Sequence, residues 1–209
     1  MNSQELTDIL LVIQIIITLF ISVRAFYHYS KTKSDVLFSV GLSMSVIAIG
    51  GITGLLGDTL LVKSPVNTLW FRYIGQTVSY LFIFLIGLRR SEGYVQHLKR
   101  WHVVVTVLLP GLLVLAPLIP ASSDPVILTI LSGSRSVVCF AILLNYAVIF
   151  MNQRTRFSFL MGLAFLFITF GIWIYTMEFS LPHFLYLDYV GDSIRILGLV
   201  ILLVALFVG

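Results

Sequence analysis

Charged residues are scarce in this 209-residue chain, at 11% against about 25% in an ordinary soluble domain. A water-facing surface cannot be built from so few, and a mean hydropathy of +1.05 excludes a soluble globular protein. Cysteine is almost absent. Cys139 stands alone in an apolar run, so no disulfide framework exists and the thiol reads as a small packing residue. The four lysines, Lys31, Lys33, Lys63 and Lys99, all fall outside the apolar runs. There is no HExxH, no paired Cys/His spacing and no glycine loop for phosphate. His28, His97 and His102 are expected at the opposite membrane face from His183, so they cannot share a site with it. No nucleophile has a base at its own depth, which argues against an enzyme. The acidic start, Met1 to Asp8, lacks the positive region of a cleaved signal peptide, so the first span is expected to be retained.

What the chain does have is seven hydrophobic segments, at about 8–27, 36–62, 67–88, 101–119, 126–151, 157–177 and 189–208. Each approaches the roughly 20 residues that cross a hydrocarbon core. The expectation is an all-α, polytopic integral membrane protein: a single domain, residues 1–209, forming a seven-transmembrane-helix bundle in the lipid bilayer. Nine of the 13 basic residues (Arg24, Lys31, Lys33, Arg89, Arg90, Lys99, Arg100, Arg154 and Arg156) fall at one set of span ends and alternate connections. By the positive-inside rule that side is cytoplasmic, placing the N-terminus outside and the C-terminus inside. The net charge of +4 therefore reflects loop asymmetry and not a nucleic-acid partner. Gly50 and Gly54 form a GxxxG pair on the second span, which predicts close helix packing or a lining for a flat ligand. Pro110 and Pro117 predict a kinked fourth span.

The remaining charges lie inside or at the mouths of spans. Arg72, Arg135 and Arg195 are embedded, as are Asp58 and Asp192, with Asp188 at the start of the last span. Asp188, Asp192 and Arg195 follow i, i+4, i+7 and share a helix face. Gln76 and Ser79 continue the face of Arg72 by the same spacing, and Ser132, Ser134 and Ser136 surround Arg135. An intramembrane arginine costs a few kcal/mol even on lenient scales, so these groups are expected to meet in the outer half of the bundle. Three readings follow. The charges form a salt-bridge lock, as in a structural or accessory subunit of a larger membrane complex. Or they line an outward-facing polar pocket for a small anionic or polar ligand, with the arginines holding the anion, Asp58 and Asp192 orienting them, and Gln76 and Ser79 on the floor. Or they belong to a small-solute transporter, against which stands an inner half offering little beyond Gln14 and Asn145.

Two resemblances bear on the choice. Trp70-Phe71-Arg72-Tyr73 resembles the W-x-R-Y motif of the third helix of microbial rhodopsins, and Leu187-Asp188 resembles the Leu-Asp pair of their seventh. That resemblance implies a seven-helix fold with the N-terminus outside. Four residues after Asp188, where a pigment needs its Schiff-base lysine, stands Asp192, and Gly75 and Gln76 replace the expected counter-ion. No covalent retinal and no other cofactor is expected. The run from Gly191 to Gly198, Gly-Asp-x-x-Arg-x-x-Gly, is similar to the last span of prokaryotic multi-helix sensor modules. It implies a receptor-like, sensory role in a prokaryotic plasma membrane, with signalling through a separate membrane or cytoplasmic protein partner.

Overall fold

The structure is a computed structural model that describes residues 3–60, 68–88, 92–115, 124–180 and 186–208. Its elements are helices: α1 (Ser3–Thr32), α2 (Asp35–Leu60), α3 (Leu69–Gly87), α4 (Glu92–Leu108), α5 (Gly111–Leu115), α6 (Pro125–Gln153), α7 (Arg156–Met177) and α8 (Leu187–Val208). Taking α4 and α5 together as one crossing, seven segments are long and apolar enough to span a membrane. Chain-local chemistry sets several boundaries. Asp124 caps α6, its carboxylate accepting the Val126 N–H at 2.9 Å with Pro125 in the first turn. Thr155 caps α7 by accepting the Ser158 N–H. Lys33 and Arg154 end α1 and α6 in the left-handed region, at φ 55° and 49°, which lets two-residue turns reverse the chain.

Two expectations change. The fourth span begins at Glu92, not at residue 101, so most of the predicted Arg89–Arg100 connection is helical. Lys99 explains how a polar turn stays in the bundle: its ammonium donates to the Asp35 carboxylate at 3.0 Å and to the Tyr29 hydroxyl at 2.7 Å. The kink expected at Pro110 is a break, because proline has no N–H to continue the ladder and α5 restarts one residue later. Lys63, Arg89, Arg90, Pro117, His183 and the side chain of Asp58 lie outside the described residues.

Six helices pack as a closed ring in the order α1, α2, α3, α6, α7, α8 and back to α1, while α4 and α5 lean on α2 and α3 from outside. Small residues bring neighbours together. On α2 the Cβ position of Gly50 lies 3.7 Å from the Cα of Arg72, Gly54 lies beside the Arg72 side chain, and Gly57 abuts Thr68, so the GxxxG face seats the start of α3. The α7–α8 contact is tighter still. A Cβ on Gly171 would stand 2.6 Å from the Arg195 nitrogen and the Gly191 carbonyl oxygen, and one on Gly191 would stand 2.7 Å from the Gly171 oxygen. One on Gly198 would stand 2.8 Å from the Ala164 oxygen and the Ile168 nitrogen. Inside the ring an apolar layer of Ile21, Met44, Tyr80, Ile142, Phe165 and Leu202 is fully or almost fully buried.

Candidate functional site: a buried arginine layer

One ring-lining stratum is polar. It begins where α1 and α8 run side by side and parallel. Thr7 Oγ1 donates to Asp188 Oδ2 at 3.0 Å, and Arg195 Nη2 donates to Gln14 Oε1. Both pairs are separated by 181 residues, so the two helices stay in register over a heptad. Arg195 also stands 3.0 Å from the Asp192 carboxylate, and both side chains are almost wholly buried.

Across the ring, Arg135 has no exposed surface. Its Nη1 donates to Gln76 Oε1 at 2.5 Å, its Nη2 to Ser132 Oγ at 2.6 Å, and its Nε to the Ser132 carbonyl at 3.2 Å. Its guanidinium lies 4.3 Å from the centre of the Tyr73 ring and 5.8 Å from that of Tyr175, whose hydroxyls are 3.2 Å apart. The donors run one way. Thr176 spends its proton on the Ile172 carbonyl, so Ser132, which accepts from Arg135, donates to Thr176 at 2.7 Å. Among the described residues no carboxylate comes within 4.0 Å of Arg135.

Among the described residues the arginines and acids do not all meet in one network, and the side chain of Asp58 lies outside them. Asp188 is turned to Thr7 and its own Tyr189 N–H. Asp192 reaches Arg195. Arg135 is held by neutral acceptors and two aromatic faces. Ser79 is buried, its carbonyl accepts from Ser43 of α2 at 2.8 Å, and its hydroxyl has no hydrogen-bond partner. Gln14 joins, although the sequence reading places it in the inner half. The parallel α1–α8 register, with Thr7 at Asp188 and Gln14 at Arg195, sets Gln14 at the level of Arg195. The serines flanking Arg135 knit neighbours, Ser134 to Thr77 and Ser136 to the Thr169 carbonyl.

Between the two arginine groups lies a cavity of about 20 Å³, lined by Gln14, Thr18, Arg72, Gln76, Tyr80 and Arg195 with apolar neighbours. That is room for one water-sized particle. Most of its polar wall donates, Thr18, whose proton goes to backbone carbonyls, and Tyr80 aside. A guanidinium can only donate. Gln14 presents its oxygen to Arg195 and Gln76 presents its oxygen to Arg135, so each has amide N–H groups left over. Gln14 Nε2 is buried with no hydrogen-bond partner. Donors thus dominate the wall, which suits an anion or a water oxygen and not a cation.

At the rim, Glu178 follows the end of α7. Burial, and then the negative charges of Asp188 and Asp192, hold its carboxyl above the usual carboxylate range. The folded state then binds more protons than the unfolded one, so this group's contribution makes stability fall as pH rises from the ordinary carboxylate range. Glu178→Gln should raise the Tm at pH 8, with the gain vanishing as pH falls toward 4, in parallel melts of both proteins.

The described residues form an all-helical bundle with seven segments long and apolar enough to cross a membrane, consistent with a multi-pass membrane protein, around a buried layer of arginines. Comparison with protein-family models, curated proteins and solved structures finds no match.

Proposed function

We propose that the chain is a non-enzymatic, receptor-like membrane protein that binds one small anion in the arginine layer. The observation that carries this reading is Arg135, a cation with no exposed surface and no described carboxylate within 4.0 Å. A buried charge is normally paired, and an uncompensated one costs several kcal/mol. The donor-lined cavity next to its partner Gln76 is where a compensating anion fits. The size of that cavity narrows the expected ligand to a monatomic anion, a halide. In this reading Arg72 and Arg195 contact the anion, Gln14 and Gln76 donate their N–H groups, Arg135 orients Gln76 and adds charge, and Asp192 orients Arg195. The loop-charge asymmetry supports a membrane orientation with this layer in the outer half, the N-terminus outside and the C-terminus cytoplasmic. With the resemblance to prokaryotic sensor modules, it supports a sensory protein of a plasma membrane that signals through a partner protein.

A second reading has its own observation. The Arg195–Asp192 pair is closed by Gln14 and nearly dry, as a packing lock in an accessory subunit would be. The two readings separate in detergent at constant ionic strength. Chloride and bromide should raise the Tm saturably, and gluconate, too large for the cavity, should not. At a hundredfold the Kd the gain is about 2.7 kcal/mol. Gln14→Leu removes the orphan donor and should weaken binding by about tenfold. Equal melting in chloride and gluconate leaves only the lock.

A further inference from the structure

A larger cavity, of about 590 Å³, opens at the other end of the ring. It gathers the last turns of α1, α3, α6 and α8 and the first turns of α2 and α7. The apolar layer of Tyr80, Phe165, Leu202 and their neighbours divides it from the arginine layer, so the two are separate sites. Its volume is that of a small-molecule pocket. Three features of its wall define an occupant.

Among the described residues the wall carries no lysine, arginine, aspartate or glutamate, so those residues give a charged ligand nothing to pair with. It has two polar atoms with nothing to bond. Asn145 Nδ2 and His28 Nε2 are both buried from solvent and without hydrogen-bond partners. Asn145 lies eight residues inside the Gln153 end of α6, about 12 Å of helix rise, so its free N–H groups point to a need well below the mouth. Gly87 faces it, and a Cβ there would come within 2.9 Å of Asn145 Nδ2. The absence of a side chain leaves the amide its place. Finally, the surroundings of Asn145 are apolar and partly flat. Tyr146 and Phe157 meet edge to face with ring centres 6.5 Å apart, and Ile149 and Leu206 complete that part of the lining. Thr32, Ser34, Gln153 and Thr155 form a polar rim at the helix ends.

The geometry points to a binding site for an uncharged amphiphile that places a carbonyl oxygen against Asn145 and its apolar body against the Tyr146, Ile149 and Leu206 wall. Asn145 supplies the donor, His28 a second polar contact, and the aromatic pair a surface for a flat or aliphatic body. Two sources carry this chemistry, the ring of a membrane quinone and the ester of a glycerolipid.

The test uses the full chain, stripped of lipid in detergent. A short-tailed benzoquinone and a monoacylglycerol are titrated separately, with native mass spectrometry for stoichiometry and Tm for affinity. One equivalent of at least one probe should bind and raise the Tm saturably. Preference for the quinone assigns a ring ligand, and preference for the monoacylglycerol assigns a glycerolipid; both support the site. Asn145→Leu should weaken that binding by about tenfold, the equivalent of one hydrogen bond. Ile149→Phe, which fills the space and keeps the wall apolar, should block it while the protein remains folded. Both variants should keep the chloride-dependent Tm shift of the arginine layer, if wild type shows it. Failure of both probes to bind saturably overturns the proposal, as does binding that neither substitution changes.

Discussion

Gly171→Ala should lower the Tm more than any other single-methyl change in this protein. The added carbon would stand 2.6 Å from two backbone atoms of α8, the Arg195 nitrogen and the Gly191 oxygen, and 2.9 Å from Arg195 Cβ. Backbone cannot swing aside as a flexible side chain does, so α7 and α8 must separate. Overpacking of this kind costs about 1–3 kcal/mol, and contact with backbone on both sides puts this case at the upper end. The separation also moves Arg195, so anion-dependent stabilisation should weaken with it. Gly133→Ala is the internal control. Its Cβ would meet only Thr176 Cγ2, at an ordinary 3.8 Å. The gain in helix propensity should then make that variant as stable as wild type, or more so by up to about 1 kcal/mol. Parallel melts of the two alanine variants decide the matter. Equal Tm values would mean that the α7–α8 contact is looser than the structure has it.

The second large effect is a crossing pattern at Arg135. Without an anion the arginine is a buried charge held by Gln76, Ser132 and two tyrosine faces. Exchanging it for glutamine removes that charge and keeps hydrogen-bonding capacity. In gluconate, Arg135→Gln should therefore melt at or above the wild-type temperature. In chloride the order should reverse, because wild type gains about 2.7 kcal/mol at a hundredfold the Kd and the variant gains almost none. A lock predicts a different result. If Arg135 serves only to knit Gln76 and Ser132, its loss strands their acceptors and should cost about 1–3 kcal/mol in both salts alike. The pair Arg135→Met with Gln76→Leu removes donor and acceptor together, so a variant that melts well in gluconate but ignores chloride would show that folding and anion binding are separable.

Much of the architecture can be read from the sequence because lipid imposes it. A chain with so few charges must satisfy its backbone internally, and apolar runs of spanning length leave little choice but helices. The exceptions are where polar residues continue a helix beyond the hydrocarbon. The turn containing Gln96, His97, Lys99 and Arg100 looks like a loop by hydropathy, yet it is helical and Lys99 is tied to Asp35 and Tyr29. The arginine layer is half legible. The cost of burying charge identifies Arg72, Arg135 and Arg195, and helical spacing adds Gln76. It does not say which helix faces which. Asp188 shares a stripe with Arg195 but turns to Thr7, because the parallel α1–α8 register pairs each with a residue of α1 one heptad apart. That register was in view as Thr7 and Gln14 at i, i+7, the spacing of Asp188 and Arg195, but nothing local says that the first and last helices touch. Likewise Gly191 and Gly198 stand out as a motif flanking Arg195, while their reason, backbone contact with Gly171 and Ala164, belongs to a different helix. Tyr73 and Tyr175, near span ends where aromatic belts form, cover a buried guanidinium.

The central claim is that an anion completes the arginine layer, and bromide tests it most directly. Crystals grown or soaked in bromide, with diffraction recorded at the bromine absorption edge, should show one anomalous peak inside the ring, within hydrogen-bond reach of Gln14 Nε2 and the Arg195 guanidinium. The same crystals of Gln14→Leu should show a weaker peak there or none. An ordered water at that position with no anomalous signal, in crystals whose surface sites have taken up bromide, would contradict the account and leave the layer as a packing lock.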